Sequence, residues 1–438
     1  MKPFCKNSGN TKSCEKNILI IGSGGREHAL AWKIKQSGLV NELYSIPGNP
    51  GINSLCIHLD IELADIDGLK QAIIQNDINI VLCGPEGPLA DGIMDQLQDL
   101  VQSHKLILIG PNQQGAQLES SKSFAKEFMS RHHIPTAAYR TFNHHEIEAG
   151  CLFMDSMNLP IVLKANGLAA GKGVLICETL DDAKTEFRSM LEGKFGDASS
   201  QVVIEEFLQG IEFSVFVLTN GEQYVILPEA KDYKRIGEGD TGLNTGGMGA
   251  ISPVSFFDED MIEKVMHQII APTINGLQAD QIPYQGFIFF GLIKVGEDPY
   301  VIEYNCRLGD PETEAIMPRL NTDLIQLFIA CQEHTLSQSM ISIKTDTAAT
   351  VCLVSGGYPG AFEKGKVISG HEQISQSHVF YSGTKLVNGQ LVTDGGRVFA
   401  ITSLGKSRQS SVNKSLKTCD KIQFEGKNYR KDIGFDLK

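Results

Sequence analysis

Apolar runs in the first 110 residues keep ending in glycine- or proline-rich loops, and this pattern narrows the possible folds more than any other feature of the chain. Residues 18–21 run into Gly22-Ser23-Gly24-Gly25, and residues 43–46 into Pro47-Gly48-Asn49-Pro50-Gly51. Residues 78–83 run into Gly84-Pro85-Glu86-Gly87-Pro88, and residues 106–109 into Gly110-Pro111-Asn112. Short runs without polar alternation suit strands buried on both faces, as in a parallel sheet. Helical periods at about 27–37, 65–75 and 89–101 separate them. Strand, loop and helix in alternation predict a doubly wound α/β domain over 17–118, and such sheets gather ligands at the carboxyl ends of their strands. A dinucleotide fingerprint is not met. Gly22 and Gly24 fit it, but Glu27 holds the third glycine position and the second strand ends at Pro47 without an acid for a ribose.

The chain has 438 residues, enough for about three domains. Its formal charge of −13 disfavours a binder of nucleic-acid backbone. Ten cysteines include no Cys-x-x-Cys pair and several lie in apolar runs, so free buried thiols in a reducing compartment are expected. No apolar run approaches the ~18 residues of a membrane span, and a cytoplasmic monomer without membrane contact is expected. Residues 1–16 are polar and are expected to be a disordered extension.

Further on, 121–133 reads as an amphipathic helix with Phe124, Phe128 and Met129 on one side and Lys122 and Lys126 on another. Strands at 159–165 and 174–177 flank a glycine loop, 166–173. That loop is not a P-loop, because Gly173 follows Lys172 where Ser or Thr is needed and a strand follows instead of a helix. It suits a flexible hairpin that folds over phosphates. A helix at 181–191, a strand at 201–208 and an antiparallel pair at 213–218 and 224–227 precede a long loop, 229–249, with cations, acids and glycines. Loops of that length in compact domains are usually functional or disordered. A helix at 256–277 and a strand at 285–295 follow. Residues 299–304 read as a strand, so Glu303 and Asn305 present two oxygen ligands to one face, which suits a hard cation. Arg307 follows as an anion-binding cation. Asp310-Pro311-Glu312 reads as a capped helix start, and Thr322 as the cap of a helix to about 331. From 341 short strands and glycine turns predict a small, mainly β domain, 341–438, with a helix at 407–422. His28, His132 and His133 read as surface or satisfied histidines.

Seven motifs, in order, resemble the phosphoribosylamine–glycine ligase family of the ATP-grasp superfamily. They are Gly-Ser-Gly-Gly-Arg-Glu-His-Ala at 22–29, Pro-Gly-Asn-Pro-Gly at 47–51, Gly-Pro-Glu-Gly-Pro-Leu at 84–89 and Lys-Ala-Asn-Gly-Leu-Ala-Ala-Gly-Lys-Gly at 164–173. Asp-Thr-Gly-Leu-Asn-Thr-Gly-Gly-Met-Gly at 240–249, Asn-Cys-Arg-Leu-Gly-Asp-Pro-Glu-Thr at 305–313 and Tyr-Arg-Lys-Asp-Ile-Gly at 429–434 complete the set.

The resemblance implies an α/β multidomain protein: the N-terminal doubly wound domain, a central α+β ATP-grasp domain at 119–340 with a mobile glycine-loop lid at about 138–205, and the β-rich C-terminal domain. It implies ligation of glycine to 5-phosphoribosylamine through a glycyl phosphate, with ATP as co-substrate and Mg²⁺ or Mn²⁺ as cofactor. The alternative is another ATP-grasp carboxylate–amine ligase. By motif position, Lys122 and Lys164 resemble the lysines on the α- and β-phosphates, with Gly167, Gly171 and Gly173 closing over them and Lys172 optional. Glu205, Glu206, Phe207 and Leu208 resemble the hinge along the adenine, and Glu212 the acid on the ribose. Asp232, Lys234, Asn244 and Arg307 are the candidates for catalysis on glycine and its acyl phosphate, with Arg235, Thr245, Gly246, Gly247 and Met248 beside them. Gly24, Gly25, Arg26, Asn49, Gly51 and Glu86 would face phosphoribosylamine. Glu303 and Asn305 are the metal pair. Many superfamily members carry a second acid about a dozen residues earlier; Gly291 stands there, which implies a lean site completed by ATP oxygens and water.

Overall fold

The alternating segments pair as a five-stranded, all-parallel sheet in the order Ile57–His58, Val40–Pro47, Lys16–Gly22, Ile78–Cys83, Ile107–Ile109. The computed structural model describes residues 15–169 and 173–437; the N-terminal extension, Gly171 and Lys172 lie outside them, apart from its last two residues. In the first strand Ile18 and Ile20 enter one apolar cluster while Leu19 and Ile21 enter another, so both faces are buried, as the unbroken apolar run requires. The strand order reverses beside Lys16–Gly22. The loops after Gly22 and Cys83 therefore open into the crevice at the switch point. The expected helix at 89–101 is three short ones, Glu86–Ala90, Ile93–Gln96 and Gln98–Ser103. Gly92, with φ of +79°, separates the first two.

Two antiparallel sheets build the centre. One runs Tyr224–Ile226, Ile211–Thr219, Gly286–Val295, Asp298–Asn305. The other runs Tyr139–Asn143, Gln201–Glu206, Ile161–Ala165, Val174–Cys177. Tyr139–Asn143 escaped the sequence reading because only Phe142 of its five residues is buried. The expected helix at 256–277 is continuous from Glu259 to Ala279.

The third sheet runs Lys231–Asp232, Gly249–Ser252, Thr347–Val354, Arg397–Gly405, His378–Tyr381. Its first two strands come from the long loop, so this sheet crosses the division expected at 340. Strands of only two and four residues leave no periodic signal in the sequence. Arg408–Lys421 is the last helix. Asp323, not Thr322, caps the helix Leu324–Gln332, since its side chain accepts from the Ile325 N–H; Thr322 donates to the Met340 carbonyl. The eight cysteines among the described residues are all buried and free. Among the described residues no helix is long and apolar enough to cross a membrane.

The first sheet is tied to the central one where the backbones of Gly110 and Gly286 meet. The Gly110 N–H donates to the Gln285 carbonyl at 2.9 Å. Gly286 has φ of +150°, and a Cβ on it would lie 2.9 Å from the Gly110 Cα. Gly286→Ala is expected to lower stability by about 1–3 kcal/mol, read as a lower unfolding midpoint in urea; an unchanged midpoint would show that the junction can slip.

Candidate active site

The Asp298–Asn305 strand sets the site's geometry. Leu292 pairs with Val301 and Gly291 with Glu303, so Ile302 is an extra residue, a bulge. Lys164 Nζ donates to the Ile302 carbonyl at 3.2 Å. Beyond the bulge the alternation is regular: Tyr304 is buried and its hydroxyl lies 3.0 Å from Thr273 Oγ1. Glu303 and Asn305 take the other face, half-buried, and among the described residues neither side chain has a hydrogen-bond or ion-pair partner. Gly291 stands directly opposite Glu303, and a Cβ there would lie 3.0 Å from Glu303 Cγ. The glycine is what leaves the Glu303 side chain its space.

Lys164 also pairs with Glu205 Oε2 at 2.9 Å, and Lys126 reaches the same oxygen at 3.1 Å. Lys126 is therefore not on a solvated helix face. It is 2% exposed and donates to Thr136 Oγ1 at 2.7 Å and the Ala137 carbonyl at 3.3 Å. Burial pushes its ammonium down to about 8. Lys122 begins the helix Lys122–Arg131, its Nζ donates to the Gly167 carbonyl at 3.3 Å, and burial lowers its pKa too. Asn166 Oδ1 accepts from the Ser123 N–H at 2.8 Å, so the glycine loop's first turn is fastened to this helix start. The Gly173 carbonyl closes the loop's other end onto the Ala165 N–H. Glu206 accepts from the Ala138 N–H at 2.8 Å, while Phe207 is exposed and Leu208 half-exposed past the strand end.

A second charge cluster lies next to Glu303. Lys234 Nζ pairs with Glu212 Oε2 at 3.0 Å. Lys234 holds the Glu212 carboxyl below its usual range. Burial raises Asp232; burial alone would lower Lys234, but Asp232, Glu212 and Glu303 raise it well above the usual lysine value. Arg235–Gly237 and Thr241–Asn244 form a hairpin with Arg235 opposite Asn244, and Asn244 is exposed. Arg235 Nη1 donates to the Gly242 carbonyl at 2.8 Å. Thr245 Oγ1 donates to the Lys234 carbonyl at 2.7 Å and accepts from the Gly247 N–H at 3.0 Å. The Met248 side chain is fully buried in the core, so only its backbone is near the loop. Gly246 is held from the C-terminal domain, its N–H by Tyr358 Oη at 2.9 Å and its carbonyl by Arg397 Nη1.

Arg307 faces the first sheet. Its Nη2 lies 2.8 Å from Glu119 Oε1 and its Nε 3.4 Å from Glu86 Oε2. Buried Glu312 faces Asp232, Lys234 and Arg307, joining the two clusters; burial and then Asp232 raise it to about 7. Arg26 is buried, with Nε on Glu27 Oε1 at 2.5 Å and Nη1 on the Leu308 carbonyl at 3.1 Å. The Gly24 N–H donates to Glu27 Oε2 at 2.7 Å. A Cβ on Gly25 would run into Glu314, and one on Gly51 into His28. Asn49 is fully committed, accepting from the Ile52 N–H and donating to the Ser23 and Tyr381 carbonyls. Asp310 is not a helix cap. Pro311 holds the cap position of Glu312–Ile316, and Asp310 is ion-paired to Arg397 at 3.1 Å while accepting from the Arg26 N–H. His28 accepts from the Tyr381 N–H, a satisfied buried histidine.

Sequence reasoning missed Lys126, Glu119, Glu312 and Arg397. The helical period hid Lys126, because its position on the polar side also faces Glu205. Arg397 stands in a Gly-Gly-Arg turn that looked like punctuation, and Glu119 carried no local signal.

Glycine-loop hairpin, converging lysines and a Glu-x-Asn strand between two antiparallel sheets define an ATP-grasp enzyme. Models of phosphoribosylglycinamide synthetase match the chain in three consecutive parts, the N domain over 16–119, the ATP-grasp (A) domain over 120–313 and the C domain over 348–436. The chain belongs to this family. It is 42% identical over 424 residues to the phosphoribosylamine–glycine ligase of Pasteurella multocida, covering 96% of this chain and 97% of that protein. It is 43% identical over 428 residues to that of Vibrio vulnificus, covering 96% and 98%. The crystal structure of the Thermotoga maritima phosphoribosylamine–glycine ligase superimposes with a TM-score of 0.81 at 32% identity, over 95% of this chain and 100% of that one. A biotin carboxylase from Campylobacter jejuni shares the fold, with a TM-score of 0.69 at 18% identity over 97% and 95%.

Glu205→Gln would leave two buried ammoniums facing each other without their shared carboxylate. A loss of about 3–5 kcal/mol is expected at pH 7, measured by urea unfolding. A buried lysine with a lowered pKa releases its proton before the unfolded chain does, so its contribution to stability rises with pH between the folded and unfolded values. Without Glu205 the Lys126 ammonium gives up its proton at a lower pH than in the parent, so the deficit should shrink as pH rises toward about 8 and stay level above it. A deficit independent of pH would mean that the ammoniums do not cause it.

Proposed function

We infer that this chain is an ATP-dependent ligase of purine biosynthesis that joins glycine to 5-phosphoribosylamine, giving glycinamide ribonucleotide, ADP and phosphate. The observation that carries this reading is the convergence of Lys122, Lys164, Lys234 and Glu303 beside the glycine loop, in a chain matched by all three parts of the family.

A carboxylate is a poor electrophile. Glycine's carboxylate oxygen takes the γ-phosphoryl group of ATP, giving glycyl phosphate and ADP. The phosphoribosylamine nitrogen then attacks the acyl carbon, phosphate leaves and the nitrogen loses a proton. Phosphoryl transfer rests on positioning and charge neutralisation, and the residues supply both. Lys122 and Lys164 hold the α- and β-phosphates under Gly167 and Gly173. Backbone groups of Glu205 to Leu208 edge the adenine. Glu212, with one oxygen on Lys234, offers the other to the ribose hydroxyls. Asp232, Lys234, Arg235, Asn244 and the Thr245–Met248 backbone take glycine and the acyl phosphate. Arg307 with Glu86, and the rim at Gly24, Gly25, Arg26 and Gly51, faces phosphoribosylamine.

Glu303 and Asn305 fit a divalent cation. Their donors are all oxygen, they share one strand face and both lack protein partners among the described residues. Among those residues no group of three His, Cys, Asp or Glu side chains is placed to hold a metal. A hard cation is commonly held by one or two protein oxygens together with phosphates and water. Bound Mg²⁺ or Mn²⁺ would neutralise the phosphate oxygens.

ADP release should require glycine and phosphoribosylamine together; release driven equally by another acid or amine would sink the reading. Glu303→Ala should raise the Mg²⁺ concentration for half-maximal turnover by at least about tenfold, and an unchanged Mg²⁺ titration would refute the metal assignment.

A further inference from the structure

The Tyr-Arg-Lys-Asp-Ile-Gly motif at 429–434 carries no role in the chemistry above, yet its arginine is 1% exposed. Arg430 uses all three guanidinium nitrogens. Nε and Nη2 grip Asp432 Oδ1 and Oδ2, each at 2.8 Å. Nη1 donates to Asp240 Oδ1 at 2.6 Å and to the Arg235 carbonyl at 3.1 Å. Asp240 sits at the tip of the Arg235–Asn244 hairpin with φ of +54°, and Arg235 is at its base. The same stretch of chain holds the tip twice more, through Asp432 Oδ2 to the Gly239 N–H at 2.7 Å and Glu238 Oε1 to the Lys431 N–H at 3.3 Å. Below the hairpin, the guanidinium lies over the Tyr233 ring, 5.4 Å from its centroid, and the Tyr233 hydroxyl donates to Asp436. The C-terminal stretch thus holds Tyr233, Arg235, Glu238, Gly239 and Asp240, in the segment that carries Lys234.

We propose that Arg430 is a positioning residue for the ligation: by holding Asp240 and the Arg235 carbonyl, it fixes the hairpin so that Lys234 and Asn244 meet glycine and its acyl phosphate. This rests on the function inferred above. A forked, planar guanidinium is required, because a lysine ammonium cannot span Asp432 and Asp240 at fixed angles.

The test uses the full chain with Arg430→Lys and, since a change at a buried arginine risks the fold, Asp240→Asn, which alters only the half-exposed hairpin partner. Both variants should raise KM for glycine about tenfold or more while KM for ATP stays within about twofold. Both should expose the native chain to trypsin at Lys234 and Arg235. Unchanged glycine KM and tryptic pattern would overturn the proposal. So would a fall in kcat that tracks the folded fraction with every KM unchanged, since that is a structural role only. If the unaltered enzyme releases no ADP with glycine and phosphoribosylamine, the functional reading fails instead. The tryptic pattern then still decides whether Arg430 fixes the hairpin.

Discussion

One buried carboxylate oxygen, Glu205 Oε2, holds two ammonium groups. Everything near the glycine loop depends on this arrangement. An isolated charge taken out of water is destabilising by several kcal/mol even after relaxation, so Lys164 could not wait in a dry site alone. Glu205 fixes it from the strand Gln201–Glu206, the Ile302 carbonyl fixes it from the facing strand, and the bulge frees that carbonyl. Lys126 completes the network by bonding Thr136, whose own hydroxyl donates to the Val301 carbonyl at 2.7 Å. One network of charge-assisted bonds thereby ties two sheets and a helix together at the point where a polyphosphate would lie. It also sets where Glu303 falls, two residues beyond Val301.

The long loop plays the matching role on the other side. Lys231–Asp232 and Gly249–Ser252 are strands of the C-terminal sheet, so Lys234 and the Thr245–Gly247 turn are carried by that sheet rather than by the central one. The central strand Ile211–Thr219 supplies Glu212, and the pair Glu212–Lys234 spans the two sheets. Arg397, reaching both the Gly246 carbonyl and Asp310, does the same. A site assembled from separate sheets is as exact as the contacts between them. Arg397 meets the Asp310 carboxylate and the Asp310 carbonyl at once, which fixes angle as well as distance.

Much of this was legible in the sequence, and the boundary of legibility is physical. The parallel sheet was readable because strands buried on both faces show as unbroken apolar runs. The Glu303 and Asn305 face was readable because strand parity is local. The bulge one residue earlier was not, since Ile302 fits a regular strand equally well. Asp310 matched a helix cap in type and spacing, but its partners Arg26 and Arg397 are 284 and 87 residues away, and local pattern carries no such information. Lys126 shows the same limit: a helical wheel separates apolar from polar positions, but it does not tell a solvated lysine from one that neutralises a buried acid.

Most cations around the site already have a carboxylate. Lys164 has Glu205, Lys234 has Glu212, Arg307 has Glu119, Arg397 has Asp310 and Arg26 has Glu27. Lys122 differs, its Nζ meeting a carbonyl instead. A ligand anion must therefore compete with fixed protein acids for nearly every positive group it meets. A monoanion offers little more than the carboxylate it displaces, whereas a triphosphate engages several cations at once without unpairing any of them fully. The paired arrangement keeps the cations in place before the ligand arrives, so little reorganisation is left for the binding step, and it tilts selection toward ligands of high charge density. Glu303 and Asn305, without protein partners among the described residues, fit that logic: they offer oxygen acceptors among occupied donors, the chemistry a hard cation beside a phosphate would need.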